Sequence, residues 1–361
     1  MAAIATAGCG AIPGAGGDDG GTITAGLGRL PAALLDDEAN RDSNALLGSV
    51  EVVDLAAVSD AQGLDRPDPD NIDETTAWLV DLIVPPQDAI DEVRVPMVTL
   101  PAAPTVKDPL AIEEWRDEFG FPLGEVTDTA SFTDGPNAMT VFGSSIDDPT
   151  GSLAPLAGVD DVFTVGEGDD FETALEVRSA SRPLGRPWRV AADDGQVAMS
   201  PSTPAIEAWR DGPRLDSHVE LADVAAALDR HDAIAATLLL FDPDAERLPL
   251  PGDRDVAQPD LLPIPPFVAL GIGGAVDGDN RIVIAAYRFG SAEVAEKAAE
   301  AIEQRWADGT SLVFRYQFAD VTDLQSVTTD GSTVTVVAHL TGSSDAPLQW
   351  LFQDDLVFRA D

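Results

Sequence analysis

The sequence predicts an α+β fold made of two similar units, each an antiparallel sheet with helices packed on one face. Turn signals flanked by apolar runs predict hairpins, and capping residues predict helices between them. A hairpin followed by a helix occurs over residues 188–211 and again over 267–306, which indicates that both units share one plan. The predicted domains are residues 27–212 and 213–361, preceded over residues 1–26 by a truncated signal remnant and a flexible tether.

The first unit opens with strand and helix signals of moderate strength. An alternating strand is predicted at 49–53, and an apolar helix or strand at 76–84 stops before Pro85. The best-defined helix covers 108–120, because Asp108 suits the N-cap, Pro109 the first helical position and Gly120 the C-terminal stop. A strand, a helix and a second strand are then predicted at 138–142, 150–156 and 161–165.

Short Asp- and Gly-rich turns predict three hairpins. The turns are Asp193-Asp194-Gly195, Asp277-Gly278-Asp279-Asn280 and Thr329-Asp330-Gly331. The strands that flank them are predicted at 188–192 and 196–200, at 267–276 and 281–289, and at 324–328 and 333–340.

Capping residues place the other helices. Thr203 followed by Pro204 predicts a short helix that ends at Gly212. The motif Ser217-His218-Val219-Glu220 is typical of a capping box and predicts a helix to about Arg230. Ser291 predicts a helix to Trp306. Between the last two helices, residues 233–241 are predicted as a buried strand and residues 242–266 as a long proline-rich loop.

The charge is unusual and excludes one class of partner. Aspartate and glutamate number 64 against 21 lysine and arginine residues, a formal net charge of −43. Nucleic-acid binding needs cationic side chains that neutralise phosphates, so no nucleic-acid partner is expected. The acidity is compatible with adaptation to high salt, where charges are screened, and with a secreted protein from a genome of acidic, arginine-over-lysine usage. The sequence leaves both interpretations open.

Cys9 is the only cysteine of the chain, so no internal disulfide is possible. It ends the segment Thr6-Ala7-Gly8-Cys9, which resembles the lipobox of bacterial and archaeal lipoproteins. In that family small residues precede a cysteine that is lipidated on sulfur and becomes the mature N-terminus. Residues 10–26 are nearly all Gly, Ala, Asp, Thr and Pro, a composition typical of flexible tethers.

The resemblance implies an address rather than an activity. It implies a cell-membrane location on the extracellular face, with the membrane as partner through the lipid on Cys9. The segment departs from the family pattern because Leu, Val or Ile is commonest where Thr6 stands, and because only eight residues precede Cys9, fewer than a secretion signal needs. In broad character the chain resembles uncharacterised secreted lipoproteins of actinobacteria, although the lipobox alone would also suit a haloarchaeon.

One carboxylate cluster is a candidate metal site. Asp65, Asp68, Asp70 and Asp73 lie close together in a predicted loop. Oxygen ligands at such spacing suit calcium, although the glycine and terminal glutamate of an EF-hand are missing. The alternative is a solvated acidic turn. No other cofactor is predicted.

Common catalytic motifs are missing from the sequence. It contains no G-x-S-x-G, H-E-x-x-H or phosphate-binding glycine loop. Gly271, Gly273 and Gly274 fall within a predicted strand, so they indicate a bulge or a close approach of backbone.

Three functions remain open. The leading one is a non-enzymatic lipoprotein that binds or scaffolds an unknown protein or lipid ligand at the cell envelope. A second is an envelope lipid carrier, with an apolar cavity whose mouth would be lined by residues 261–276. A third is a secreted hydrolase that uses carboxylates or a bound cation.

Overall fold

The structure is a computed structural model. It describes residues 21–35, 46–83, 94–100, 109–134, 137–146, 148–182, 184–242 and 261–360.

One antiparallel sheet organises the described part of the chain. Its twelve strands run in the order β11-β12-β10-β9-β8-β1-β2-β3-β7-β6-β5-β4. The strands are β1 Leu46–Asp54, β2 Val126–Asp134, β3 Asn137–Ser144, β4 Ala154–Pro155, β5 Phe163–Val165, β6 Trp188–Asp193, β7 Gln196–Ser200, β8 Ala235–Phe241, β9 Ala269–Asp277, β10 Asn280–Arg288, β11 Thr322–Asp330 and β12 Thr333–Leu340.

Eight α-helices lie within the described residues. They are α1 Thr22–Leu27, α2 Leu55–Gln62, α3 Ile72–Ile83, α4 Pro109–Phe119, α5 Thr203–Asp211, α6 Val219–Asp229, α7 Ala292–Asp308 and α8 Ala346–Phe352. The predicted α+β class with an antiparallel sheet is confirmed.

The two predicted units are two halves of this one sheet. We call β1–β7 with α1–α5 the N-terminal half, and β8–β12 with α6–α8 the C-terminal half. They join where β1 pairs with β8, for example Val50 with Leu238. Outward from this junction, the N-terminal half runs β1, β2, β3, β7, β6 and the C-terminal half runs β8, β9, β10, β12, β11. Both halves therefore share one strand order, apart from the short β4 and β5 at the outer edge of the N-terminal half.

The helices cover both faces of the sheet, whereas the sequence predicts one face in each unit. Neighbouring residues of a strand point to opposite faces, and β1 is apolar on both sides. Val52 joins the cluster that includes α1, α5 and α6, whose surface we call the first face. Val53 joins the cluster of α2, α3 and α4 on the second face. The C-terminal half carries α7 and α8 on that second face.

The predicted tether of residues 1–26 extends too far, because α1 begins at Thr22. Ile23 is fully buried in the first-face core. The carboxylate of Asp229, at the end of α6, accepts hydrogen bonds from the backbone N–H of Ile23 at 2.8 Å and of Thr24 at 2.9 Å. A cap supplied from 206 residues away leaves no local sequence signal, so the composition of this short helix resembles that of a tether.

The hairpins predicted from their turns are confirmed as β6–β7, β9–β10 and β11–β12. The sequence indicates that β6–β7 corresponds to β9–β10, but the strand order shows a different correspondence. The hairpin β6–β7 takes the place in its half that β11–β12 takes in the other, and β9–β10 corresponds to β2–β3.

Three local predictions are wrong. The N-cap of α5 is Ser202, whose side chain accepts from the N–H of Ala205, rather than Thr203. Residues 150–156 form turns and the short strand β4 rather than a helix. The capping box at Ser217 is absent, because His218 is the N-cap of α6 and its side chain makes no capping hydrogen bond.

Candidate ligand pocket

A seven-residue segment crosses the second face between the helices of the two halves. We call residues 94–100 the bridging segment. Val95 and Val98 pack with the α2–α4 cluster, whereas Met97 packs with the α7–α8 cluster. The bridging segment therefore crosses the boundary between these two apolar clusters, which we call the seam.

Glycine at position 274 allows the bridging segment to lie directly on β9. A Cβ atom at Gly274 would be 1.9 Å from the carbonyl oxygen of Pro96. On the first face, a Cβ at Gly271 would be 2.2 Å from Cγ1 of Val224. The pairing of β9 with β8 and β10 is regular through these glycines. Close backbone packing, rather than a bulge, explains them.

Arg94 ties the bridging segment to two helices. Its side chain is buried, with 6% of the residue exposed. Its Nη1 donates to Oε1 of Gln62, at the end of α2, over 2.8 Å, and to the carbonyl oxygen of Asp81 in α3. The guanidinium thus fixes where the segment enters the seam.

A pocket of about 170 Å³ opens between α3, the bridging segment and the start of α8. Its walls come from both halves of the sheet. The lining residues are Leu82, Ile83, Arg94, Val95, Met97, Val98, Ser344, Asp345 and Leu348. Met97 has a φ of 64°, in the left-handed region that a long side chain rarely adopts, and such strain is concentrated at functional sites.

The pocket combines apolar walls with two oppositely charged side chains. Arg94 supplies the positive charge and Asp345 the negative one. Oδ1 of Asp345 accepts hydrogen bonds from the hydroxyls of Ser343 at 3.1 Å and Ser344 at 3.4 Å, which hold the carboxylate at the start of α8. Apolar walls with a few placed polar groups are what small-molecule sites require.

A polar row on the sheet lies next to the bridging segment. Glu51 on β1 is directly opposite Ser131 on β2 and Thr237 on β8, so the three side chains point to the second face. Burial raises the pKa of Glu51, and the neighbouring Thr99 side chain partly opposes this effect. Oγ1 of Thr237 is buried and has no hydrogen-bond partner in the described part of the chain.

The four aspartates predicted to bind calcium lie in the loop before α3 and in its first turn. Within the described residues, no group of three or more His, Cys, Asp or Glu side chains could hold a metal ion. The loop instead caps α3: the side-chain oxygen of Asn71 accepts from the N–H of Glu74 at 3.2 Å, and Glu74 accepts from the N–H of Asp68 at 3.2 Å. Calcium binding by Asp65, Asp68, Asp70 and Asp73 remains a prediction.

Cys9 lies outside the described residues, so its lipidation also remains a prediction. The residues of the pocket do not stand out in the sequence. Arg94 and Met97 lie in a segment without helical or strand periodicity, and Asp345 is one of 64 acidic residues. The one local signal is Gly274, where the sequence predicts a close approach of backbone but does not identify the segment that approaches.

No helix in the described residues combines the length and apolar character needed to cross a bilayer. Comparisons of the chain with known protein families, with curated proteins and with solved structures gave no match.

Proposed function

We propose that this protein is a lipoprotein anchored through Cys9 on the extracellular face of the cell membrane, where it binds a small ligand without catalysing a reaction. The observation that carries the proposal is the segment Thr6-Ala7-Gly8-Cys9 followed by a run of small and acidic residues. The pocket beside the bridging segment supports the binding role.

The chain between the anchor and the fold is short. The first described residue is Gly21, and a Cβ at this position would be 2.5 Å or less from the carboxylate of Asp229. Eleven residues, 10–20, therefore separate Cys9 from the body. Fully extended, they reach at most about 40 Å. A lipid on Cys9 would keep the body within roughly one domain diameter of the bilayer.

The anchor is tested in the organism that makes the protein, by feeding a clickable fatty acid and separating membranes from soluble fractions. The natural chain should carry the label and sediment with membranes, and Cys9→Ser should do neither. Thr6→Leu is the matched control, because it restores the commonest lipobox residue and should keep the label. An unlabelled natural chain that retains residues 1–8 would remove the lipoprotein proposal.

The size of the pocket limits its ligand. A volume of about 170 Å³ is close to that of an engineered cavity of about 150 Å³ that binds benzene. Drug-sized ligands occupy pockets of roughly 300–1,000 Å³. The pocket therefore suits a compact molecule, or the end group of a longer one, with a polar end near Arg94 or Asp345 and an apolar part against Leu82 and Val98.

Ligand binding is tested by thermal unfolding in the presence of free amino acids, short-chain carboxylates and small amines. A ligand of the pocket raises the melting temperature because it binds only the folded state. Leu348→Trp, which fills the pocket, should abolish the rise. Leu262→Trp, at a residue that is 42% exposed and outside the pocket lining, should keep it. No rise with any compound, or equal rises in both variants, would contradict the binding role.

The lipid-carrier alternative finds less support around β9. Close contacts at Gly271 and Gly274 occupy both sides of the strand that is expected to line the mouth of the cavity. We therefore place the proposed ligand at the seam rather than along β9. No observation on the described residues favours the hydrolase alternative.

A further inference from the structure

A loop between β5 and β6 displays apolar side chains to solvent. We call residues 174–182 and 184–186 the apolar loop. Leu175, Val177 and Leu184 are 56%, 51% and 45% exposed. They are three of the eight large apolar side chains that are exposed within the described residues. Single exposed apolar residues need no explanation, but three in one loop indicate a contact surface.

The apolar loop is built to hold this shape. The N–H of Ala174 donates to the carbonyl of Leu184 at 3.2 Å, which brings the two ends together. Gly185 closes this base with a φ of 61°, where a Cβ would be 1.9 Å from the carbonyl oxygen of Ala174. A side chain larger than hydrogen therefore cannot be placed at the base without moving the backbone.

An ionised carboxylate from α4 fixes the other side of the loop. Oε2 of Glu118 accepts from Nε of Arg182 at 2.9 Å and from the hydroxyls of Ser181 at 2.5 Å and Ser179 at 3.1 Å. Burial alone would raise the pKa of Glu118, but the hydrogen bonds from Arg182 and Ser181 outweigh it, so the pKa is lowered. The loop is thus fastened to α4 while its apolar side chains point outward.

The charge of the apolar loop contrasts with that of the chain. Its charged residues are Glu176, Arg178, Arg182 and Arg186, three cations against one anion, in a chain of 64 acidic and 21 basic residues. Arg182 is paired with Glu118. Arg178 is exposed beside Val177. Glu114 and Glu118 of α4 also contact the loop, through the N–H of Ala180 and the side chain of Arg182. Arg178 and Arg186 are therefore the loop cations that are not paired with a carboxylate among the described residues.

We propose that the apolar loop inserts into the headgroup–acyl boundary of a phospholipid bilayer, as a second membrane contact beside the lipid on Cys9. This inference rests on the proposed anchoring. Apolar side chains flanked by arginines suit that boundary, because the arginines pair with lipid phosphates while the apolar side chains leave water. A tether of eleven residues keeps the body of the protein near the bilayer, which raises the effective concentration of any second contact, so weak insertion suffices.

The test uses the full chain with Cys9→Ser, so that it does not depend on lipidation. Vesicles of phosphatidylethanolamine and phosphatidylglycerol are floated with the protein at about 0.15 M salt. The triple variant Leu175→Ser, Val177→Ser, Leu184→Ser should lower the partition coefficient about tenfold or more, since buried methylene groups drive such binding. The control is Val219→Ser with Phe352→Ser, at residues that are 58% and 64% exposed outside the loop, and it should change partitioning less than twofold.

A second measurement locates the contact. Cys9 is the only cysteine, so Leu175→Cys in the Cys9→Ser chain can carry one environment-sensitive fluorophore. Vesicles should move its emission to the blue, whereas a fluorophore on Val219→Cys should not respond. Absent vesicle binding, equal loss in the triple and control variants, or unchanged emission at position 175 would overturn the proposal. If the vesicle tests are positive but Cys9 carries no fatty-acid label in cells, the anchoring proposal fails while the membrane contact of the loop stands.

Discussion

The two halves of the sheet share a strand order but are covered by helices that do not correspond. In the N-terminal half, the second face is covered by α2, α3 and α4, which are inserted between its first and second strands. In the C-terminal half, α7 comes between the third strand and the last hairpin, and α8 follows the last strand. The two halves thus share a strand order but are covered by different helices. The bridging segment and the pocket lie at the seam between these two sets of helices.

The halves also differ where α1 and α6 meet on the first face. The two helices run antiparallel, because Asp229 at the C-terminal end of α6 caps α1, while Gly28 just after α1 lies beside Asp216 just before α6. The cap is not reciprocated, since His218 at the start of α6 makes no side-chain capping bond. A residue of the C-terminal half therefore completes a helix of the N-terminal half, which depends on it for this cap.

The largest expected effect on stability comes from a substitution that disrupts the contact between β9 and the bridging segment. Gly274→Ala places a methyl group against the Pro96 carbonyl, which is backbone and cannot move aside as a flexible side chain would. We expect the free energy of unfolding to fall by about 3 kcal/mol, as for overpacked sites. Gly290→Ala is the control, because a Cβ there meets nothing within 4 Å, and it should change stability by less than about 0.5 kcal/mol. Urea unfolding measures both.

The next effect tests the dependence of one half on the other. Asp229→Ala removes three hydrogen bonds to α1, from the N–H groups of Ile23 and Thr24 and from the Thr24 hydroxyl. We expect a loss of about 2 kcal/mol, the upper range for a helix cap, with faster amide exchange in α1. The exposed Glu296 provides the control Glu296→Ala. Unchanged exchange in α1 would show that the cap does not hold this helix to the fold.

Local signals explain which elements the sequence could predict. The turns at Gly195, Gly278 and Gly331 each need a left-handed residue, with φ of 72°, 58° and 55°, and their composition predicts the hairpins correctly. Ser291 is likewise predicted correctly as the cap of α7, where its hydroxyl oxygen accepts from the N–H of Val294 at 3.4 Å. These interactions join residues close in sequence, so a single chain reveals them.

Long-range interactions explain what the sequence could not predict. β2 is not predicted because Val126, Ala130 and Phe132 are the three apolar residues among its nine, and the Thr, Ser and Asp residues around them give it the composition of a loop. The joining of both halves depends on β1 pairing with β8, which no local pattern encodes. The pocket is not predicted because Arg94 and Asp345 lie about 250 positions apart in sequence and line one pocket only in the folded chain.

The third prediction concerns the centre of the sheet, where Glu51 of one half faces Thr237 of the other. Burial raises the pKa of Glu51, so the folded state binds this proton more tightly than the unfolded state. The contribution of Glu51 to the free energy of unfolding should therefore be greatest below its unfolded-state pKa. It should fall as pH rises through the raised pKa, by about 1.4 kcal/mol for each pH unit that separates the two pKa values.

Glu51→Gln should remove this dependence and stabilise the protein at neutral pH. Asp277→Asn, at an exposed position on β9, is the control and should leave the pH profile as it is. Chemical unfolding between pH 4 and pH 8 measures the difference. Equal slopes for Glu51→Gln and the natural chain would show that the carboxyl is better solvated than its position indicates.

The smallest expected effect on stability comes from giving α6 a side-chain cap, as α1 already has from Asp229. His218 has the extended backbone of an N-cap, with φ −82° and ψ 108°, but no capping bond. His218→Ser should supply an acceptor for the N–H groups of the first turn of α6 and add about 0.5–1 kcal/mol to stability. The substitution also removes the contact between Nδ1 of His218 and Glu220 at 3.2 Å. Repeating it in a Glu220→Gln background separates the two contributions, and a lack of stabilisation in both backgrounds would mean that packing against α1, rather than capping, determines where α6 begins.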